Sequence, residues 1–395
     1  MSVAELTVLD EVRVGGAAEY LADCLQRVPP GRGVPPFLHA QAGGSLATVL
    51  EATLVDLPPM HIFDPAAGRL DKDPPVRGQA YAQYIIGLRD GVLLNPEGQV
   101  ASAAGLVLIE SMRDTSLIAA PDYSGANLAD PRHLAGIADS LSAAPCRDGR
   151  WLTLVYAPAR NWYHWLIETA GRIPAAQCIP DFGSLNILVP PGLTQNHYDV
   201  LTALGVDPAR LVVFDGNPTR FEELYLPSFA SMRGSYHPVA LSVLRSKLAA
   251  SLDLPKSGRR RLYLSRADAA IRRVANESEI LDGIGPLGFE KFALADRSLR
   301  EQAVGFAEAE IIIAPHGAGL ANLLFARPGT LVIELLPVSA DGYLTLYHAL
   351  SAALGLRYIA LRCPADGAHA DFVADPRGIL TLLAGLAGIV HPSSQ

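Results

Sequence analysis

The chain has 395 residues, half of them hydrophobic and 18% charged, with a formal net charge of −8. That length allows about two to three domains, and the composition excludes a disordered chain. The 35 glycines and 30 prolines follow no period, which excludes a collagen-like chain, and the acidic balance speaks against a nucleic-acid partner.

In chain order, the first 145 residues read as irregular, punctuated by Pro29-Pro30, Pro35-Pro36, Pro58-Pro59 and Pro74-Pro75. A β-hairpin is expected there, with its turn at Pro96-Glu97-Gly98. From Trp151 onward short apolar runs alternate with helical patterns. Strands are expected at 151–157, 185–190, 211–215 and 223–226, and helices at 163–178 and 197–204. A long helix at 238–252 leads into the loop Pro255-Lys-Ser-Gly258. The alternation then restarts, with strands at 260–265, 289–294, 311–314, 331–335 and 358–361. Helices are expected at 277–284, 299–308, 320–325, 344–354 and 377–389. This is the pattern of βαβ units and parallel sheets. It predicts an α/β chain with two Rossmann-like domains facing a cleft, after an irregular, β-containing N-terminal region. The expected domains are 1–245, with its Rossmann-like part at 150–230, and 256–375, with 376–395 a closing helix and tail.

The four cysteines, at 24, 146, 178 and 363, form no CxxC pair, so neither a zinc framework nor a disulfide scaffold is expected. The first twelve residues carry three acids and no basic region, unlike a secretory signal. The most apolar stretch near the other end, 379–390, is shorter than the about 20 residues of a bilayer span. A cytoplasmic protein is expected, with room for a peripheral place on the inner membrane.

Three stretches carry chemistry. In Ile311-Ile-Ile-Ala-Pro-His-Gly-Ala-Gly-Leu-Ala-Asn322 a buried strand runs into a glycine-flanked turn and then a helix. Ligands of open α/β sheets bind beyond the carboxyl ends of strands. Gly317 and Gly319 allow close backbone approach, Ala318 lies between them, and the helix start offers N–H groups to an anion. His316 adds a side-chain donor; the alternative is a tight turn with a capping histidine. Asn322 stands where a dinucleotide fingerprint would need its third glycine, so NAD is not expected. Glu334, near the end of the next strand, is either a ligand for ribose hydroxyls or a solvated strand-end carboxylate.

In Arg259-Arg-Arg-Leu-Tyr-Leu-Ser-Arg266, Ser265 and Arg266 stand at a strand's carboxyl end, and the arginine fork suits a phosphate. Arg272 and Arg273 follow in the loop, where at least one reads as plain surface charge. Asn276 and Glu279 resemble a capping box. In Asn161-Trp-Tyr-His-Trp-Leu-Ile-Glu-Thr-Ala-Gly-Arg172, a helix capped by Asn161 would put His164, Glu168 and Arg172 on one polar stripe. That stripe is either a site or an ordinary Glu168–Arg172 salt pair beside a core histidine. Asp71-Lys-Asp73 lies among prolines with no strand before it and reads as a turn. No metal-ligand cluster is evident.

These residues resemble glycosyltransferase family 61. The resemblance rests on Tyr163-His-Trp-Leu-Ile-Glu168 with Arg172, Leu262-Tyr-Leu-Ser-Arg266, Arg273 with Asn276-Glu277, and Pro315-His-Gly-Ala-Gly-Leu-Ala-Asn-Leu-Leu-Phe325 through Pro328-Gly329. It spans about 85–365 and is dense over 150–337. The family includes bacterial capsular-polysaccharide proteins, plant xylan arabinosyl- and xylosyltransferases, and animal O-linked N-acetylglucosamine transferases. The resemblance implies the GT-B architecture, inverting transfer and a nucleotide-sugar donor, most often UDP-linked; with no metal-ligand cluster in the sequence, neither a metal nor another cofactor is expected. It implies that Arg266 and His316 with Gly317–Gly319 contact the diphosphate, supported by Ser265, Asn322 and Arg273, with Glu334 near the ribose. Ala321 stands where the family often has threonine, which removes a hydroxyl.

The expected function is inverting sugar transfer to a saccharide or lipid-linked saccharide in bacterial surface- or exopolysaccharide assembly. Glu168 is the expected base, His164 its alternative, and Arg172 a support. A homo-oligomer is compatible with this reading. Two rivals stand beside it: a nucleotide-sugar epimerase or hydrolase on the same fold, and a non-catalytic nucleotide-sugar-binding subunit of an assembly complex.

Overall fold

The computed structural model of the chain describes residues 44–50, 53–80, 82–102, 111, 141, 143–229, 231–232, 234–337, 344–365 and 370–390. The expected loops at Pro29-Pro30 and Pro35-Pro36, and Cys24, lie outside the described residues. The chain forms a mixed α/β structure in two compact units, residues 1–53 with 80–232 and residues 54–79 with 233–395. The units are therefore not two successive stretches of chain.

The sheet of the first unit runs in the order Gly44–Leu50, Gln83–Leu93, Thr219–Pro227, Cys146–Thr153, Asn186–Val189, Leu211–Val213. The last four strands are parallel neighbours, as βαβ alternation requires. The first two are antiparallel additions on one side. Tyr84, Ile86 and Leu88 repeat at period two, and that face packs on Trp151, Phe221, Leu224 and Leu226. The expected hairpin forms: Gly98 N–H donates to Asn95 O at 3.0 Å, and Leu93 pairs with Val100. Gly98 sits at φ +90°, and a Cβ there would meet Val155 O at 2.2 Å, so no other residue fits.

The sheet of the second unit runs in the order Phe289–Phe292, Arg260–Leu264, Ala309–Pro315, Leu331–Pro337, Arg357–Cys363, His61–Asp64, Arg69–Lys72. The first six are parallel. Their alternate residues Tyr263, Ile311, Ile313, Ile333, Leu335, Ile359 and Leu361 pack on Ile280, Ile284, Ile379 and Leu382 of the covering helices. The sixth strand comes from the proline-rich N-terminal part, where Phe63 lies opposite Leu361 and joins the same core. The seventh corrects a reading above. Asp71 lies on a strand that follows a strand, with Ile62 opposite it. Its carboxylate is paired with Arg69 at 2.6 Å. Four residues on an edge strand, three of them charged and the fourth an exposed leucine, carry no alternation long enough for a sequence to show.

Cys146, Cys178 and Cys363 are free thiols. Among the described residues no helix is long and apolar enough to cross a membrane.

Candidate functional site

The first unit holds a histidine–carboxylate pair at the start of an irregular helix. Residues 163–178 read as one helix, but the chain winds a π-helical turn over His164–Thr169, then a tighter turn over Ala170–Arg172, then α over Ile173–Ala176. Gly171 and Pro174 explain the break. Glycine costs helix stability, and proline has no N–H for the preceding turn. Asn161 does open the segment, its Oδ1 accepting from Tyr163 N–H at 3.0 Å. π-helical turns are rare and frequent at functional sites.

Within this turn His164 Nδ1 meets Glu168 Oε2 at 2.7 Å. Tyr156, just past the Cys146–Thr153 strand, donates its hydroxyl to the same oxygen at 3.0 Å. The Glu168 side chain is 2% exposed and that of His164 is 14% exposed, so the imidazole is the member nearer solvent. Arg172 is buried and does not form the simple salt pair weighed above. Its Nη2 donates to Leu154 O at 3.0 Å, and the guanidinium lies 4.6 Å over the Phe229 ring. Burial pushes its pKa down to about 10.

The second unit holds the glycine-flanked turn. The strand Ala309–Pro315 ends at His316, which is 3% exposed. His316 Nδ1 is hydrogen-bonded to Glu334 Oε1, and Tyr358 donates its hydroxyl to Glu334 Oε2 at 2.5 Å. Glu334 is the middle residue of a strand that runs to Pro337, not its tip, and is 1% exposed. It is thus neither a solvated carboxylate nor open toward a ribose; both oxygens are engaged. A carboxylate on Nδ1 holds that nitrogen as N–H and makes Nε2 the ring's acceptor.

The Tyr347 hydroxyl donates to Gly317 O at 2.7 Å, and Leu320 N–H donates to the same oxygen. With that carbonyl pinned, the planar peptide points the Ala318 N–H the opposite way. The helix Ala318–Phe325 is 3₁₀, and its first amides, Ala318 and Gly319, precede the first intrahelical bond. A Cβ on Gly319 would meet Leu294 Cδ1 at 2.7 Å, so a larger residue there would have to displace the end of that leucine side chain. Gly317 is extended, and its lack of a side chain serves Arg266: a Cβ there would lie 1.9 Å from Arg266 Nη1. Arg266 is thereby laid against the turn. Its Nη2 donates to Ile271 O at 3.2 Å, and its buried Nε has no partner. Burial, and then the charge of Arg272, push its pKa down.

Other expected site residues have structural work. Ser265 donates to Glu277 at 2.8 Å, and Glu277 is paired with Lys291 at 2.5 Å. Arg273 is paired with Asp371 at 2.7 Å, and Asn276 bridges to Ala374 in both directions. Asn322 is fully buried and donates to Gln302 Oε1 at 3.1 Å. These residues fasten the loops around Arg266. Sequence reasoning missed Tyr156, Tyr347 and Tyr358. Only Tyr358 left a trace: Glu334 lies opposite Ala360, so Tyr358 is its diagonal neighbour on one face. That relation exists only once the two strands are known to pair.

Residues 162–333 match the family model of glycosyltransferase 61. No curated protein matches the chain. The bacterial iron-containing dodecameric glycosyltransferase TibC from enterotoxigenic E. coli H10407 aligns at 12% identity, over 80% of this chain and 83% of that one, with a TM-score of 0.26. TibC in complex with ADP-D-β-D-heptose aligns at 11% identity, over 80% and 82%, with a TM-score of 0.28. Likeness at that level does not establish a shared fold.

Proposed function

We propose that this chain, which belongs to glycosyltransferase family 61 through residues 162–333, moves a sugar from a nucleotide-sugar donor to a saccharide hydroxyl with inversion. The donor is UDP-linked, and the acceptor is a saccharide or lipid-linked saccharide of bacterial surface-polysaccharide assembly in the cytoplasm. In the GT-B plan that the family resemblance implies, the second unit takes the donor and the first takes the acceptor. One observation carries the reading. Arg266, fastened against the Gly317 turn, keeps a buried guanidinium N–H without a partner. A buried charged donor left unmatched is costly, and an anionic ligand would match it.

The acceptor hydroxyl attacks the anomeric carbon as the bond to the diphosphate oxygen breaks. Its proton goes to His164 Nε2, while Glu168 holds the Nδ1–H and so fixes the ring. This shifts the base from Glu168 to its alternative, because the Glu168 oxygen nearest the ring already accepts from two donors and the carboxylate is buried. Arg266 and the Ala318 and Gly319 amides meet the charge that develops on the leaving nucleoside diphosphate. They supply the positive field that other transferases take from a metal ion. Turnover is therefore expected to persist in EDTA; loss of activity restored by manganese would contradict this part of the reading.

The test of the donor site is calorimetry with UDP. Arg266→Ala should weaken binding by about tenfold or more, since a hydrogen bond to a charged group contributes about 1.5–3 kcal/mol. Gly317→Ala should share the loss by displacing the guanidinium. Arg259→Ala, at an exposed residue just before the strand Arg260–Leu264, should leave binding unchanged. Equal losses for Arg266→Ala and Arg259→Ala would refute the placement.

A further inference from the structure

We propose that Arg272 is a second anion-gripping guanidinium of the same donor site, held by a strained backbone so that with Arg266 it takes both phosphates of the diphosphate. This rests on the donor-site reading above.

Four non-glycine residues among those described have positive φ: Asp90, Asp181, Asp253 and Arg272. Three are aspartates, whose short side chains bond locally and tolerate the left-handed region. Arg272, at φ +57°, has no such excuse. Glycine or asparagine would sit there more comfortably, yet the chain keeps an arginine. Strain of this kind persists where the side chain is needed and the surroundings hold it.

The side chain points to what it is needed for. Arg272 Nε is buried without a partner, as is Arg266 Nε. Arg266 Nη2 donates to Ile271 O, which ties its guanidinium to the residue preceding Arg272. The positive charge of Arg272 acts on Arg266 strongly enough to disfavour its charged form, second only to burial. Two like charges with unmatched donors repel each other, and an anion lying between them turns the arrangement favourable. The neighbouring Arg273 shows the contrast, because Asp371 engages both its side chain and its backbone N–H. Two planar forks suit two phosphate groups better than one, so the pair should favour pyrophosphate over phosphate.

The experiment is Arg272→Gly in the full chain, with UDP, ADP, inorganic pyrophosphate and inorganic phosphate as probes. The melting temperature without ligand should rise by a few degrees, because the strain and the repulsion are both relieved. Affinity for UDP and pyrophosphate should fall about tenfold or more, toward that for phosphate. Arg259→Ala, at an exposed residue before the strand Arg260–Leu264, should leave affinity unchanged. A residue with only a structural role would lower stability when removed, so opposite signs in the two readouts mark the anion role. Arg272→Gly that melts lower, or that binds pyrophosphate and UDP as the wild type does while Arg266→Ala does not, would overturn this inference and leave the donor site standing. A wild type that binds none of the diphosphates would overturn both.

Discussion

His164→Asn is expected to lower kcat by about 10²–10⁴-fold, the usual cost of losing a general base, with UDP affinity unchanged. Inverting transfer needs one basic atom within reach of the acceptor hydroxyl. In the first unit the imidazole is the member of the Tyr156–Glu168–His164 cluster nearer solvent, at 14% against 2% for the carboxylate. Glu168 cannot swing out cheaply, since it would leave the Tyr156 hydroxyl and His164 Nδ1 unmatched. Glu168→Gln should therefore act through the ring. It should lower kcat by about 10²-fold, because a misplaced or wrongly tautomerised imidazole loses reach, and it should leave KM for the donor near wild type. The two changes should not add. A dyad works as a unit, so the double variant should be about as slow as His164→Asn alone. The measurement is steady-state kinetics on the four proteins of the cycle. His164→Asn turning over within a few-fold of wild type, with Glu168→Gln strongly impaired, would return the base to Glu168. Additive losses would show two independent roles.

Glu334→Ala is expected to destabilise the second unit by about 3–5 kcal/mol, a loss of roughly 10 °C in melting temperature for a unit of this size. Glu334 is 1% exposed in the centre of a seven-residue strand and accepts from both His316 and Tyr358. Truncation strands two buried donors and opens a cavity at once. Tyr358 is already committed: burial, then the Glu334 charge, hold its hydroxyl well above the usual range, so it stays a donor across ordinary pH. Glu334→Gln keeps the volume and an acceptor for Tyr358 but cannot hold the His316 Nδ1–H in the same way. It should cost less stability while still weakening UDP binding, because His316 at the start of the glycine turn loses its anchor. Calorimetric unfolding of both variants decides this. A Glu334→Ala protein that melts within a degree of wild type would mean that the carboxylate is not the anchor of the turn.

By itself the sequence determined the second half of the molecule in outline. Strands and helices from residue 151 onward fall close to their expected places, because period-two and period-3.6 apolar patterns are local signals that tertiary packing then satisfies. The strand–turn–helix at 309–325 and its glycines were legible for the same reason. The tertiary structure decided what no local pattern carries. His61–Asp64 joins the second sheet because Phe63 fits beside Leu361, a pairing between residues about 300 apart in sequence. Glu334 lies inside and not at a strand tip because Arg357–Cys363 extends the pairing to Pro337. The stripe His164, Glu168, Arg172 became a dyad and a separate buried guanidinium because Gly171 and Pro174 break the helix that spacing alone would draw. Tyr156, Tyr347 and Tyr358 stand at these sites with no motif to announce them, since a hydrogen bond needs only proximity in space, and proximity in space is what sheet order and helix packing supply.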